Sequence, residues 1–460
     1  MIKFGTDGWR AVLDEDFNKE NVARAIEAIG SYIYEKHGFE QEILIGYDPR
    51  KDADFYAEYS AKMLSKMGFR VTVSSKILPT PVLAYNALVR KASAIMFTAS
   101  HNPAKYLGLK YIPEYAGPAT TEITDRITGY LDNPSVPASN SDSQYAKEDF
   151  FDGYYKHIKQ IIDIEKIKTL KTNIIFDGLY SASIGYFDKI LEDNGIRFKT
   201  LHLKHDINFG GMNPDPKTEQ LSELTELVKS EGNSIGLAND GDADRFGVID
   251  ENGSFVSPNV IIAILLKYLH DKGYKGAVVK TVGSSVLIDN VAKSLGVEVI
   301  ETAVGFKHVG EAMRKNDVII GGEESGGLSI KGHIPEKDGL LANLLILEAM
   351  AVSGKSLVEL EREISEIGGK FYTERIDISK TDIAEVKEIL GKIKGINTLG
   401  RYKVTDIDLK DGVKLMFGDK TKILARPSGT EPLLRIYFEA ESGEKIRELQ
   451  QELDKIEKIL

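Results

Sequence analysis

The segment with the clearest chemical meaning is Asp240-Gly241-Asp242-Ala243-Asp244-Arg245, between the apolar runs Ile235–Ala238 and Phe246–Ile249. Carboxylates at alternate positions repel one another and converge only when something cationic offsets the repulsion. A hard divalent ion does this through oxygen ligands. The spacing also matches the first half of an EF-hand loop, with Glu251 at its twelfth position. Arg245, however, stands where that loop requires glycine, and the flanks read as strands. Three aligned carboxylates leave coordination positions open, which suits Mg²⁺ bound jointly with a phosphate. A solvated acidic turn without metal is the competing reading.

A second loop, Thr98-Ala99-Ser100-His101-Asn102-Pro103, follows the strand predicted at Ala94–Phe97. A serine at a strand-to-loop turn is presented as a nucleophile or phosphate carrier requires. Ser, Asn and Pro are equally ordinary in a capping turn. His101 invites a Ser-His pairing and is a further catalytic candidate, although neighbours in an extended turn point apart and no Gly-x-Ser-x-Gly elbow is present.

Three more loops carry polar groups. In Gly321–Gly327, Glu323 and Ser325 offer acceptors and donors for sugar hydroxyls, and His333-Ile334-Pro335-Glu336-Lys337-Asp338-Gly339 adds titratable groups downstream. In Arg426-Pro427-Ser428-Gly429-Thr430-Glu431-Pro432, Arg426, the two hydroxyls and the amides around Gly429 would form an anion nest, or simply a hairpin-like turn. It lacks a Walker lysine, so nucleotide is not implied. Near the N-terminus, Phe4–Arg10 supplies Arg10 as a candidate phosphate contact.

The elements that must position these loops repeat. An apolar run, a turn, a helix, a glycine and a second apolar run occur at Ile43–Val73, Ile174–Leu201 and Ala277–Ile300. Each predicts a β-α-β unit with parallel strands. In the first, Phe55, Tyr59, Met63 and Met67 form the expected inward row. The tail after Phe371 mixes short strands, turns and a charged helix predicted over Ser442–Leu460. The expected fold is α/β: three related α/β domains and a smaller α+β domain, over residues 1–145, 146–252, 253–369 and 370–460.

Composition narrows the partners. With 59 Lys and Arg against 70 Asp and Glu, the chain carries a net charge of -11, which disfavours nucleic acid. Cysteine is absent, so disulfide and thiolate chemistry are excluded. No basic leader with an apolar core is apparent at Met1–Asp14, and the apolar runs at Val260–Leu266 and Leu344–Val352 are too short or interrupted to span a bilayer. A cytoplasmic protein without membrane association is expected.

Taken in order, the five loops resemble the α-D-phosphohexomutase superfamily of phosphoglucomutases and phosphomannomutases, from Phe4-Gly5-Thr6-Asp7-Gly8 to Arg426-Pro427-Ser428-Gly429-Thr430. The resemblance implies four domains around a central cleft and interconversion of hexose 1- and 6-phosphates through a phosphoserine. By it Ser100 is that phosphoserine and, with Asp240, Asp242 and Asp244, holds Mg²⁺. Lys110 takes part in proton transfer, with His333 as an alternative base. Arg10 and Arg245 meet the transferring phosphoryl group. Glu323 and Ser325 read sugar hydroxyls, and Arg426, Ser428, Gly429 and Thr430 grip the distal phosphate. Glucose 1,6-bisphosphate is implied as intermediate and activator. Tyr106-Leu107-Gly108 departs from the asparagine many members have before the glycine, and Gly327 stands where bacterial phosphomannomutase/phosphoglucomutase enzymes and phosphoglucosamine mutases usually have histidine. His333 and Lys337 instead resemble glucose-specific members, so glucose, and after it mannose, is the expected sugar. Glucosamine, N-acetylglucosamine and pentose phosphates are the alternatives within the class. A metal-dependent phosphatase and a non-catalytic phosphosugar-binding protein are the alternatives outside it.

Overall fold

The computed structural model describes residues 2–5, 8–137, 144–428 and 433–456. All three anticipated crossovers form. Strand Glu42–Tyr47 leads through helix Ala53–Met67 to the parallel strand Arg70–Ser74, with Gly68 closing the helix at φ 110°. Asn173–Asp177 and Phe198–Leu201 are likewise parallel around helix Phe187–Asp193. Ala277–Thr281 and Val299–Thr302 flank helix Val286–Leu295, which Gly296 ends at φ 67°. One face differs from expectation. Helix Ala53–Met67 buries Tyr56, Ala57, Ser60, Ala61 and Leu64, while Phe55 is 49% exposed. The smaller side chains let the helix lie close to its sheet, and the Phe55 row is turned toward the rim.

Each crossover belongs to a sheet that contains the same reversal. In the first sheet, Ser93–Phe97 runs parallel to Glu42–Tyr47 and then turns back into the antiparallel strand Tyr106–Ile112. In the second, Ser234–Asn239 is parallel to Asn173–Asp177 and turns back into Phe246–Ile249. In the third, Val318–Gly322 is parallel to Ala277–Thr281 and turns back into Leu328–Ile330. The serine loop, the acidic loop and the Gly321–Gly327 loop are therefore equivalent reversals, each at the carboxyl end of a parallel strand. Strands on both sides of the acidic loop rule out the helix–loop–helix of an EF-hand.

The strand Ala146–Glu148 pairs parallel with Arg70–Ser74 and so completes the first sheet. A boundary at 145/146 would detach it, so the crossing into the second unit falls after Glu148. The polar stretch 138–143 expected to mark this linker lies outside the described residues. The fourth unit is a six-stranded sheet packed against helices Ile383–Lys394 and Gly443–Asp454. Its last helix begins at the Ser442 cap, as the sequence suggests, and stops at Asp454 rather than Leu460.

Helix Gly339–Ser353 is buried from Gly339 to Met350. An all-apolar helix of this kind belongs in a core, and here it packs on strands of both the second and the third sheet. Among the described residues no single helix is long and apolar enough to cross a membrane. The fourth unit docks on the third through buried Glu439. Its carboxylate accepts from Ser285 Oγ and from Val286 N at 3.0 Å, and pairs with Lys422 Nζ at 3.0 Å. The N-terminus of helix Val286–Leu295 thus receives a negative charge, where its dipole favours one. Glu439→Ala leaves Lys422 buried without its counter-charge, holding only to the Ser284 carbonyl among the described contacts, and should cost roughly 3–5 kcal/mol. Hydrogen exchange should then show the fourth sheet opening before the other three; unchanged protection there would contradict this docking role.

Candidate active site

The serine loop is held by a residue that sequence inspection passed over. Arg50 Nη1 donates to the carbonyls of Pro103 at 2.9 Å and Tyr106 at 3.0 Å, and Nη2 to those of Ser100 at 2.6 Å and Asn102 at 2.7 Å. Its Nε pairs with Asp48 Oδ2 at 3.1 Å, and that carboxylate also accepts from Thr98 Oγ1 at 2.6 Å. Burial pushes the Asp48 carboxyl up to about 6 despite Arg50. Thr98 Oγ1 in turn accepts from Ser100 N at 2.8 Å. Held in this way, Ser100 adopts φ 51°, the left-handed region that a non-glycine residue enters only when its surroundings over-determine it. The turn is therefore not extended. His101 does not point away, and its Nδ1 lies 3.4 Å from Ser100 Oγ, at the long limit of a hydrogen bond. Burial, with Arg245 and Arg10 nearby, holds His101 well below the usual histidine range, so the ring is neutral.

The acidic loop meets the serine directly. Ser100 Oγ donates to Asp240 Oδ2 at 2.7 Å. Lys110, on the returning strand Tyr106–Ile112, donates to Asp242 Oδ2 at 2.8 Å and Asp244 Oδ2 at 2.9 Å. Two buried carboxylates therefore flank its ammonium. Lys337 Nζ adds a contact to Asp244 Oδ2 at 3.3 Å. Thr80, at the start of helix Thr80–Arg90, gives Asp242 its hydroxyl at 2.6 Å and its amide, to the carbonyl, at 2.9 Å. Gly241 permits the approach, since a Cβ there would stand 2.4 Å from the Ser100 carbonyl oxygen. Ala243 takes φ 58° to complete the reversal.

All three aspartates are buried, with ligand oxygens within 4.8 Å of one another. Burial, then Asp244 and Asp242, push the Asp240 carboxyl well above its ordinary value. Asp244 Oδ1 has no hydrogen-bond partner among the described residues, and neither has Arg245 Nε. Oxygen donors from three carboxylates beside a serine hydroxyl, with Asp244 Oδ1 no nearer than 4.0 Å to the Arg245 Nε it faces, fit a hard divalent cation. Burial works against the charge of Arg245, but Asp240, Asp244, Asp215 and Glu323 hold it on. Arg10 Nη1 reaches into the serine loop at Asn102 Oδ1, 2.8 Å away.

In the third reversal Glu323 is buried and accepts from Gly305 N at 3.0 Å, while Ser325 is exposed. His333 is not gathered with these groups. Its Nε2 meets Asp338 Oδ2 at 2.9 Å within the third unit and its Nδ1 meets His157 Nε2 at 3.0 Å across to the second, so both ring nitrogens are engaged. Asp338 caps helix Gly339–Ser353, which ties this network to packing rather than to the serine. In the fourth unit Arg426 stands opposite Arg435 across paired strands. Like charges there repel unless an anion lies between them. Arg435 Nε is buried and has no hydrogen-bond partner among the described residues. Ser428 follows Arg426; Gly429 and Thr430 lie outside the described residues.

Arg50, Thr80 and Arg435 escaped sequence reading for different reasons. Tyr47-Asp48-Pro49-Arg50 has the composition of a plain turn, Leu78-Pro79-Thr80-Pro81 signals a helix start without saying what the threonine faces, and Arg435 falls on the face opposite the apolar residues of its strand.

Known proteins match this arrangement along nearly the whole chain. Family models described as phosphoglucomutase/phosphomannomutase match residues 1–136 as alpha/beta/alpha domain I, 152–253 as domain II, 257–366 as domain III and 374–456 as the C-terminal domain. A phosphoglucomutase/phosphomannomutase of Thermococcus kodakarensis is 31% identical, over 97% of this chain and 96% of its own. A phosphoglucosamine mutase of Clostridium kluyveri is 30% identical, over 96% of each. The crystal structure of a candidate phosphomannomutase from Thermus thermophilus superposes with a TM-score of 0.88 at 31% identity, covering 99% of this chain and 98% of that one.

Burial raises the Glu323 carboxyl from 4.5 to about 7, so between those values the folded protein holds a proton that the unfolded chain has released. Stability therefore falls as pH rises through that window. Glu323→Gln removes the titration. From about pH 4 to pH 8 the variant should gain roughly 3 kcal/mol relative to the parent in urea unfolding; parallel pH profiles would contradict the assignment.

Proposed function

The chain belongs to the phosphoglucomutase/phosphomannomutase family of the α-D-phosphohexomutase superfamily, and from that premise we propose that it interconverts glucose 1-phosphate and glucose 6-phosphate, and to a lesser extent the mannose phosphates, through phosphorylated Ser100. The enzyme is an intramolecular phosphotransferase. The observation that carries the proposal is the Ser100 hydroxyl lying 2.7 Å from Asp240 Oδ2, in a loop fastened at four carbonyls by Arg50. Phosphoryl transfer depends mainly on alignment and charge stabilisation, and a fixed serine beside buried charges supports both.

In the proposed reaction the bond from phosphorus to Ser100 Oγ breaks as one forms to a sugar hydroxyl, giving glucose 1,6-bisphosphate. The hydroxyl loses a proton and the serine oxygen gains one. We assign this exchange to Lys110, whose Nζ lies among the carboxylates. Arg10 and Arg245 offset charge on the transferring group. Asp240, Asp242, Asp244 and Ser100 would hold Mg²⁺, whose charge offsets the negative charge developing at the serine oxygen. The bisphosphate then turns over while bound and returns its other phosphoryl group to Ser100. Arg426 and Ser428, joined by Arg435, would grip whichever phosphate is not reacting, and Glu323 and Ser325 would read the hydroxyls.

The preference for glucose is supported at Gly327. Lys337 lies over it, so that a Cβ there would fall 2.4 Å from Lys337 Cδ. A larger residue at 327 and this placement of Lys337 exclude each other. The name of the Clostridium kluyveri relative keeps glucosamine 1-phosphate as the second reading.

A coupled assay with Mg²⁺ and a trace of glucose 1,6-bisphosphate, run on the 1-phosphates of glucose, mannose, glucosamine and ribose, tests the proposal. Glucose should turn over fastest, Ser100→Ala should lower kcat by at least about a thousandfold, and inorganic phosphate should not accumulate. Faster turnover of glucosamine 1-phosphate would replace the sugar assignment, and phosphate release without isomerisation would replace the reaction.

A further inference from the structure

The fourth unit touches the segment beside the sugar-reading loop through a carboxylate oxygen. Asp411 Oδ2 accepts from Arg426 Nε at 3.1 Å and from Val304 N at 2.9 Å. The next amide, Gly305 N, donates to Glu323 Oε1 at 3.0 Å. Consecutive amides of the 303–305 segment therefore face two carboxylates, one from the fourth unit and one from the Gly321–Gly327 loop. The contact to Arg426 is built in: Gly412, at φ 93°, lets the Asp411 turn lie so close that a Cβ there would stand 2.3 Å from the Ala425 carbonyl oxygen and 2.9 Å from Arg426 Cα. Gly305 in turn holds φ 122° and ψ 126°, which lets the chain pass from strand Val299–Thr302 into helix Phe306–Lys315 with both amides directed outward. Lys414 Nζ, pairing with Glu301 Oε1 at 2.6 Å, braces the same junction.

We propose that Asp411 is a positioning residue that couples Arg426 to Glu323 through the Val304–Gly305 amides, so that the grip on the non-reacting phosphate and the reading of the sugar hydroxyls are set together. The proposal rests on the assignments of Arg426 to phosphate and Glu323 to sugar. A guanidinium drawn toward a phosphate alters its hold on Asp411 Oδ2, and the Val304 amide shares that oxygen. The adjoining amide fixes the orientation of Glu323. The coupling allows a hexose lacking the distal phosphate to be bound without being correctly read, which protects the phosphoserine from unproductive acceptors.

The test compares kcat and KM for glucose and mannose 1-phosphates in Asp411→Ala, Asp411→Asn, Arg426→Ala, Glu323→Gln and the double variant Asp411→Ala/Glu323→Gln. Asp411→Ala should raise KM about tenfold and shift the glucose-to-mannose ratio of kcat/KM about threefold, in the direction Glu323→Gln shifts it, although Asp411 does not touch the sugar. The double variant should be no worse than the poorer single variant by more than about twofold, as expected for residues acting as one unit. Asp411→Asn is isosteric and carries the test if the alanine variant misfolds; it should move the ratio about twofold the same way. A ratio unmoved by both Asp411 variants, or losses that multiply in the double variant, overturns the proposal. If Arg426→Ala leaves KM unchanged, or Glu323→Gln leaves the ratio unchanged, the underlying assignment falls and the coupling with it. If those two respond and the Asp411 variants do not, the coupling alone is wrong.

Discussion

Three carboxylates in one buried loop repel one another, and the rest of the site answers that repulsion. Asp240, Asp242 and Asp244 are met by Ser100, Lys110 and Thr80, all from the first unit. None of these partners comes from the second unit's own sheet. Meeting the acidic loop therefore joins the first two units at the reacting serine, because withdrawing the first unit removes the Lys110 ammonium from between Asp242 and Asp244, both buried. The left-handed backbone at Ser100 and Ala243 fits this picture, since conformations of that kind persist where surrounding contacts over-determine them.

The three reversals at equivalent places in three sheets explain how one supersecondary device serves three roles. In each, a strand buried between neighbours delivers a loop to the carboxyl edge of its sheet, where ligands collect in open α/β sheets. Only the loop chemistry differs: a hydroxyl in the first, carboxylates in the second, glutamates and glycines in the third. The fourth unit is built otherwise and is attached by polar contacts, Glu439 at a helix N-terminus and Asp411 at the 303–305 segment. Such contacts can be made and broken at lower cost than a continuous apolar core.

What was legible in the sequence followed from periodicity and from short loops with unusual composition. The three crossovers, the strands around Asp240–Arg245 and the start of the last helix near Ser442 were all readable because local spacing determines them. The inward face of helix Ala53–Met67 was not, because alanine and serine at the contact outweighed the more hydrophobic Phe55 row, a choice made by the sheet it packs against. Strand Ala146–Glu148 is three residues of ordinary polar composition, and only its pairing with Arg70–Ser74 makes it a strand. Arg50 was invisible for the same reason: its partners are carbonyls, which carry no side-chain signature, about 50 residues away. The contacts of His333, whose nitrogens meet His157 and Asp338, were equally invisible, because one of those partners lies 176 residues away.

The most direct measurement follows the phosphoryl group itself. The protein would be incubated with radiolabelled glucose 1,6-bisphosphate and Mg²⁺, quenched, digested and mapped, and a second sample chased with unlabelled hexose monophosphate before quenching. Transfer through Ser100 places label on the peptide containing Ser100, absent from Ser100→Ala, and that label passes into hexose bisphosphate during the chase. Label on another residue, or label that leaves Ser100 only as inorganic phosphate, would contradict it.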